Sequence, residues 1–329
     1  MVNLIILFLL KYCLAVPKYS WEFKSFFNYQ YPFDAILNIA YPSSIAYYYI
    51  TIVPPKTNYS FYGRFLCENV YESSLTVYNS NGLINENFPS INTYNNNKYN
   101  KYIVDNTQNE INYVLQRFYV NLDYYTESDL IDNLFKVYND NNIVPKINSD
   151  IRNFYSKMVY NPLETFISSI APSSNHSYSD FYFPGEFNGL FPDQNHYYLI
   201  STPGIFQAFK IKGFFNPEKK FPFIDFTTVN QKKVSTDNGL PFYEFLNDKG
   251  YYEIYILSSE VDENIILNLA PKAKILKWNS DNTNRALIFR LIDYTNLGIA
   301  NITQKLTPKE TKDAMHGFYP EIEILNIKI

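Results

Sequence analysis

Cysteine is nearly absent from this chain of 329 residues: Cys13 and Cys67 are the only two. A fold with so few thiols is not a disulfide-stapled secreted scaffold and must rest on its buried apolar surface. Cys67, within Phe65-Leu66-Cys67, reads as a buried inert thiol in a strand. Glycine is also scarce, at 10. No G-x-G-x-x-G and no G-x-x-x-x-G-K-[ST] occurs, so nucleotide phosphates lack their usual backbone cradle. A G-x-S-x-G nucleophile elbow is missing too, and Ser280-Asp281-Asn282 reads as a polar turn. The three histidines, His176, His196 and His316, stand singly, without H-E-x-x-H or Cys/His pairing, which argues against a zinc site. Asn139-Asp140-Asn141-Asn142 lacks the Gly and the closing Glu of a calcium loop. With 28 basic and 32 acidic residues, a net charge of −4 and no Lys/Arg cluster, nothing offers a footprint for nucleic acid. No apolar run approaches the about 20 residues that a membrane-spanning helix needs. No cofactor is expected.

What the chain has in plenty is Tyr, Phe, Ile and Asn, with aromatics at 19%. Arg and Ala are few, the pattern of an AT-rich genome, so the aromatic content by itself argues no ligand. The length suits two domains better than one core. At the N-terminus an apolar run, Leu4 to Leu10, is followed by Cys13 and Ala15 at the small-residue positions of a cleavage site. Residues 1–15 therefore read as a secretory signal peptide, cleaved after Ala15. Three N-x-[ST] sequons, at Asn58, Asn175 and Asn301, are the candidate glycosylation sites of a secreted chain.

Period-two alternation dominates. In Val70 to Leu83, Tyr71, Ser73, Leu75 and Val77 fall on one face and Glu72, Ser74, Thr76 and Tyr78 on the other, and Asn79-Ser80-Asn81-Gly82 supplies a turn. A second such unit runs from Phe223 to Leu240. Further strands are predicted at 47–53, 61–67, 111–120, 196–201, 207–215, 251–258, 273–278, 286–292 and 321–329, the last with a bulge at Leu325 where its apolar phase flips. Ile111 to Val120 is apolar on both sides and should be covered on both faces. Asn85 to Asn100 reads as a long exposed loop.

The period changes in the middle. Thr126 and Asp129 form a capping box ahead of Leu130, Leu134 and Val137 at helical spacing. Helices are also predicted from Asn148 and from Asn161-Pro162. Near the C-terminus Thr307-Pro308-Lys309-Glu310 opens a helix of about two turns that Gly317 should stop. The expected organisation is a first β-sandwich over 16–147, a helical segment and connection over 148–193, and a second β-sandwich over 194–329.

Several short motifs recur in a fixed order: Val70 to Asn79, Gln116-Arg117-Phe118-Tyr119, Asn188-Gly189-Leu190-Phe191-Pro192 with Asn195 to Leu199, Lys210 to Pro217, Gly250 to Leu257, and Gly317-Phe318-Tyr319-Pro320. In that order the chain resembles an uncharacterised family, common in bacteria and also seen in algae and large DNA viruses. In it two domains of unknown function sit in tandem, with an R-Y-W-S-L-T-x-Y-D-like strand and a distal Y-Y-P-R-like segment. Glu72 and Ser73 replace that family's aromatic pair, and Glu321 stands where it tends to have Arg. The resemblance implies two jelly-roll-like β-sandwich units and carries over no catalytic residue.

The fold class expected is thus mainly β, two tandem jelly-roll-like sandwiches with short helices between them and near the C-terminus. The function expected is that of a secreted or surface-displayed protein with a structural or binding role, its partner a carbohydrate or another surface protein. The alternative is a carbohydrate hydrolase with paired carboxylates in an interdomain cleft. Glu72, Asp225 and Glu253 are the strand carboxylates to inspect, each otherwise expected on a solvated strand face. N-terminal sequencing and glycan mass analysis of the natural protein should find a mature start at Val16 and sugar on at least one of the three sequons. An intact Met1 with bare asparagines would overturn the secretory reading.

Overall fold

A computed structural model describes residues 22–25, 43, 46–66, 70–79, 84–89, 99–120, 124–139, 142–143, 179–185, 196–203, 207–215, 224–230, 235–278, 285–292 and 302–327. The first half supplies Glu22–Ser25 (β1), Ala46–Val53 (β2), Thr57–Gly63 (β3), Val70–Tyr78 (β4), Ile84–Pro89 (β5), Asn100–Asn106 (β6) and Asn112–Val120 (β7). A short helix, Glu127–Asp132 (α1), and the strands Lys136–Asn139 (β8) and Asn142–Ile143 (β9) follow. These strands make two sheets, ordered β1-β2-β7-β4-β5 and β6-β3-β8-β9.

The second half supplies His196–Ser201 (β10), Ala208–Phe214 (β11), Ile224–Asn230 (β12), Ser235–Pro241 (β13), Phe242–Phe245 (α2), Tyr251–Ser258 (β14), Asn264–Leu269 (α3) and Lys274–Trp278 (β15). Arg285–Ile292 (β16), Pro308–Met315 (α4) and Glu321–Ile324 (β17) complete it. Its sheets run β10-β16-β12-β13 and β15-β14-β11-β17. The protein is therefore mainly β.

One strand order serves both halves. β2-β7-β4-β5 matches β10-β16-β12-β13, and β6-β3-β8 matches β14-β11-β17. In each half a short helix with a threonine capping box precedes the last of these strands. Thr126 and Thr307 accept from the backbone N–H three residues on, while Asp129 and Glu310 reach back to the cap N–H. Those bonds hold both carboxyls below their ordinary range. The second half adds one departure, β15, which lies parallel to β14 and is reached through α3.

Each half packs one face of each sheet into its own core. Tyr49, Phe61, Leu75, Val77, Phe118, Phe135 and Val137 belong to the first core, and Leu199, Phe209, Ile211, Phe226, Ile254, Trp278 and Phe289 to the second. Each fully buried side chain of this size contributes about 1.5–3 kcal/mol. Phe181 and Phe183, from the segment expected to connect the halves, are buried in the second core. β7 is buried along all nine residues, because its other face is covered as well.

Several local expectations are corrected. Ile84–Pro89, whose residues from Asn85 on are expected as loop, pairs with β4 across a register shift at Val77/Tyr78. α1 ends at Asp132 with Asn133 as its C-cap, and Val137 lies in β8, where pairing with β3 overrides the helical spacing. The backbone reversal after α4 is taken by His316, at φ 53, rather than by Gly317. β17 ends at Ile324, and Leu325, which donates its N–H to the Ala208 carbonyl at 3.0 Å, leaves the ladder to pack on Ala208, Leu257, Val261 and Ile266. The helices expected from Asn148 and Asn161 lie outside the described residues.

Gly213 is required by a close approach. It sits opposite Tyr252 in the β11/β14 ladder, and a Cβ there would fall 2.1 Å from the Tyr252 hydroxyl oxygen. Burial raises the phenol of Tyr252 well above the ordinary tyrosine range, and its ring lies in the second core. Gly213→Ala should therefore cost about 1–3 kcal/mol in urea unfolding, as overpacking does. Gly317→Ala, where a Cβ would meet nothing within 4 Å, should change stability by less than about 0.5 kcal/mol.

Candidate functional site

The sheets β1-β2-β7-β4-β5 and β10-β16-β12-β13 each turn their second face toward the other half, and among buried apolar residues such as Ile50, Ile52, Leu115, Ile200 and Ile288 these faces carry a set of polar ones. On β4 the alternation that places Leu75 and Val77 in the first core places Glu72, Ser74, Thr76 and Tyr78 on this second face. Glu72 Oε2 lies 2.7 Å from His196 Nε2 on β10, with both side chains at 0% exposure. Ser43 donates to Asp225 Oδ2 on β12 at 2.6 Å. The Tyr119 ring packs at 4.6 Å from the His196 ring. Every one of these contacts joins the first half to the second.

Two arginines occupy corresponding places in the layer. Arg117 on β7 stands opposite Tyr48 on β2 and opposite Ser74 on β4. Arg290 on β16 stands opposite Tyr198 on β10 and opposite Asp225 on β12. Each guanidinium carbon lies 5.9 Å from the ring centroid of its facing tyrosine. Each donates to the threonine two residues beyond its facing position: Arg117 to Thr76 at 3.1 Å, Arg290 to Thr227 at 2.5 Å. A third donor bond runs from Arg117 to the Tyr78 hydroxyl. The two constellations differ where Ser74 in one corresponds to Asp225 in the other, and there Arg290 makes a salt bridge at 3.1 Å.

The groups tune one another. Burial raises the Tyr48 phenol, opposed by the nearby Arg290 and Arg117 charges and by the N–H of Ser43, which donates to its oxygen at 3.0 Å. Burial works to lower Arg290, yet Asp225 and the surrounding tyrosines outweigh it and leave the guanidinium raised. Asp225 is thus held beside a cation that does not give up its proton. Arrays of this kind are costly to bury and costlier to break, because removing one partner leaves a charge in a poor solvent.

The sequence-based candidates separate accordingly. Glu72 and Asp225, expected on solvated faces, are both wholly buried. The correction has a simple cause: the second face of one sheet is covered by the second face of another, which no single strand reveals. Glu253 does lie exposed, on β14, accepting from the Tyr255 hydroxyl at 2.7 Å. Asn58 is exposed on β3, beside Asp105. Asn175, Asn301, Cys67, His176 and residues 1–15 lie outside the described residues. No three His, Cys, Asp or Glu among the described residues come together as a metal-ligand set. Arg117 and Arg290 were missed as site residues, although an arginine amid apolar strand residues was the available signal.

A second feature lies on the outward side of β6-β3-β8. Tyr62 and Tyr99 stack with ring centroids 5.2 Å apart and planes 11° apart, and are 43% and 61% exposed. Ile103, 57% exposed, adds apolar surface on β6. Isolated exposed apolar residues are ordinary, but a cluster built on a rigid sheet is a surface available for contact.

No family model matches the sequence, and no curated protein does. Among solved structures the chain is similar to an uncharacterized protein from Burkholderia cenocepacia, at 11% identity and a TM-score of 0.57, over 94% of this chain and 84% of that one. A Vibrio parahaemolyticus protein is similar at 8% identity and a TM-score of 0.49, over 94% and 92%. The first likeness is one of fold, shared with an uncharacterized bacterial protein.

If the layer is a coupled unit, Arg290→Met should cost about 3–5 kcal/mol in urea unfolding. Adding Asp225→Leu to it should recover part of that loss, with a coupling above about 1 kcal/mol. Simple additivity of the two single losses would show that the pair does not act together.

Proposed function

We propose that the protein is a secreted or surface-displayed binding protein that engages carbohydrate through the outward face of β6-β3-β8, without a cofactor. The observation that carries this reading is the exposed Tyr62–Tyr99 stack. Tyrosine presents a flat apolar face that can lie against the C–H face of a sugar ring, with a hydroxyl free for its polar edge. With Tyr62 on β3 and Tyr99 immediately ahead of β6, already stacked on each other, the rings lose little freedom on binding. The buried polar layer has a different task in this account: it joins the halves so that the outer sheets are held rigidly. The repeated strand order is read as duplication of one sandwich unit, in keeping with the tandem-domain family suggested by the ordered motifs. The secreted part of the proposal rests on the signal-like apolar run Leu4 to Leu10.

The alternative, a carbohydrate hydrolase, draws on Glu72 and Asp225 lying in one layer between the halves. Glycoside hydrolysis needs two carboxyl groups that a sugar can reach. Here both are fully buried and engaged by His196, Ser43 and Arg290, so a sugar reaches them only if the halves part. Binding therefore ranks first.

Glycan-array screening of the full chain should show retention of at least one class of polysaccharide. Tyr62→Ala and Tyr99→Ala should each weaken that binding by up to about tenfold, the scale of one aromatic contact. No retention of any glycan would overturn the reading.

A further inference from the structure

The repeated strand order allows the outer sheets to be compared position by position. Ser60 on β3 faces Ile103 and Tyr138, and Tyr62 faces Lys101 and Lys136. On the matching strand β11, Lys210 faces Tyr255 and Glu323, and Lys212 faces Glu253 and Glu321. Tyr62 thus corresponds to Lys212. A tyrosine between two lysines stands in one half where a lysine between two glutamates stands in the other.

The second half's face is an ordinary solvated one, its charges largely matched. Lys210 and Lys212 reach Glu323 at 2.9 and 3.5 Å. Tyr251, at one end, packs against Phe214 with centroids 4.8 Å apart. On the first half's face Lys101, Lys136 and Arg64 are all exposed around Tyr62. Among the described residues none of these three cations is in an ion pair. Among the described residues of β3, β6 and β8 the acid is Asp105, opposite Asn58, and Asn58 lies about 13 Å along β3 from Tyr62 at the usual strand rise.

Unmatched cations around exposed aromatic rings, on a chain of net charge −4, concentrate positive potential where the rings are. We infer that this face takes an anionic polysaccharide, one whose sugars carry carboxylate or sulfate groups: Tyr62 and Tyr99 stack on the ring while Lys101, Lys136 and Arg64 meet the charge. The inference rests on the carbohydrate reading above and narrows its ligand class. The footprint of three cations is short for nucleic acid, whose retention depends on neutralising many phosphates.

The test uses the full chain from a host that does not N-glycosylate, so that Asn58 stays bare. Affinity electrophoresis is run in gels containing polygalacturonate, dextran sulfate or neutral dextran, with oligo(dT) as competitor, at low and high salt. Retardation is expected in one or both acidic gels, and it should fade as salt rises. The double variant Lys101→Glu/Lys136→Glu should lower the affinity about tenfold or more, whereas Lys212→Ala on the matching strand should leave it unchanged. Retardation by polygalacturonate alone identifies carboxylate as the recognised group, by dextran sulfate alone sulfate. Salt-insensitive binding to neutral dextran that survives the lysine changes overturns the anionic assignment while the carbohydrate reading stands. Failure to bind any polysaccharide overturns both, and displacement by oligo(dT) at lower concentration than by either acidic polymer assigns the face to nucleic acid instead.

Discussion

The contact of Glu72 with His196, and of Asp225 with Arg290 and Ser43, is the constraint on which the architecture turns. Two halves with separate hydrophobic cores need not have any fixed relation. What relates them here is a set of charged and hydroxyl-bearing side chains, Glu72, His196, Asp225 and Arg290 buried among them, lying between apolar residues of the same faces. Hydrophobic surface would associate in many registers, since it is indifferent to small slides. A carboxylate and an imidazole meeting at 2.7 Å are not indifferent. The layer contributes definition more than net stability, because the gain from pairing is largely offset by desolvation.

The correspondence between the halves extends into this layer. Tyr48, Arg117 and Thr76 repeat as Tyr198, Arg290 and Thr227, with the same cross-strand neighbours and equal arginine-to-ring distances. The unit evidently works as a set: arginine spans two strands, the tyrosine ring covers its planar face, and the threonine hydroxyl takes one N–H. Lysine would not substitute, since its point charge has neither the plane for the ring nor the fork for two acceptors. The asymmetry lies in Ser74 against Asp225, which gives the second half the carboxylate that Ser43 of the first half then grips.

Much of the β architecture was legible because alternation is local. The strands at 70–78, 196–201 and 251–258 coincide with their alternating runs, and both capping boxes follow from four-residue patterns. Lys136–Asn139 was not legible as a strand, since its pairing with β3 is a matter of tertiary structure. The layer between the halves was legible only in part. Glu72, Ser74, Thr76 and Tyr78 were seen to share a face, but polar residues on one face ordinarily mean water, and nothing within β4 says that another sheet lies there. A clue lay in composition: the chain has only five arginines among 28 basic residues, and Arg117, Arg285 and Arg290 are buried. In a chain that otherwise favours lysine, arginine kept within apolar strands marks places where its geometry is needed. The outward tyrosines were hidden by the opposite problem, for in a chain so rich in Tyr and Phe no single ring stands out.

The polar character of the inner face matters during synthesis as well. The first sandwich emerges from the ribosome long before His196, Asp225 and Arg290 exist to cover it. An apolar face waiting that long would be a hazard, inviting nascent chains to adhere to one another. On the first half's face Glu72, Ser74, Thr76, Arg117 and Tyr48 break up the apolar surface of Ile50, Ile52 and Leu115, which lessens that hazard until the second half arrives to cover it.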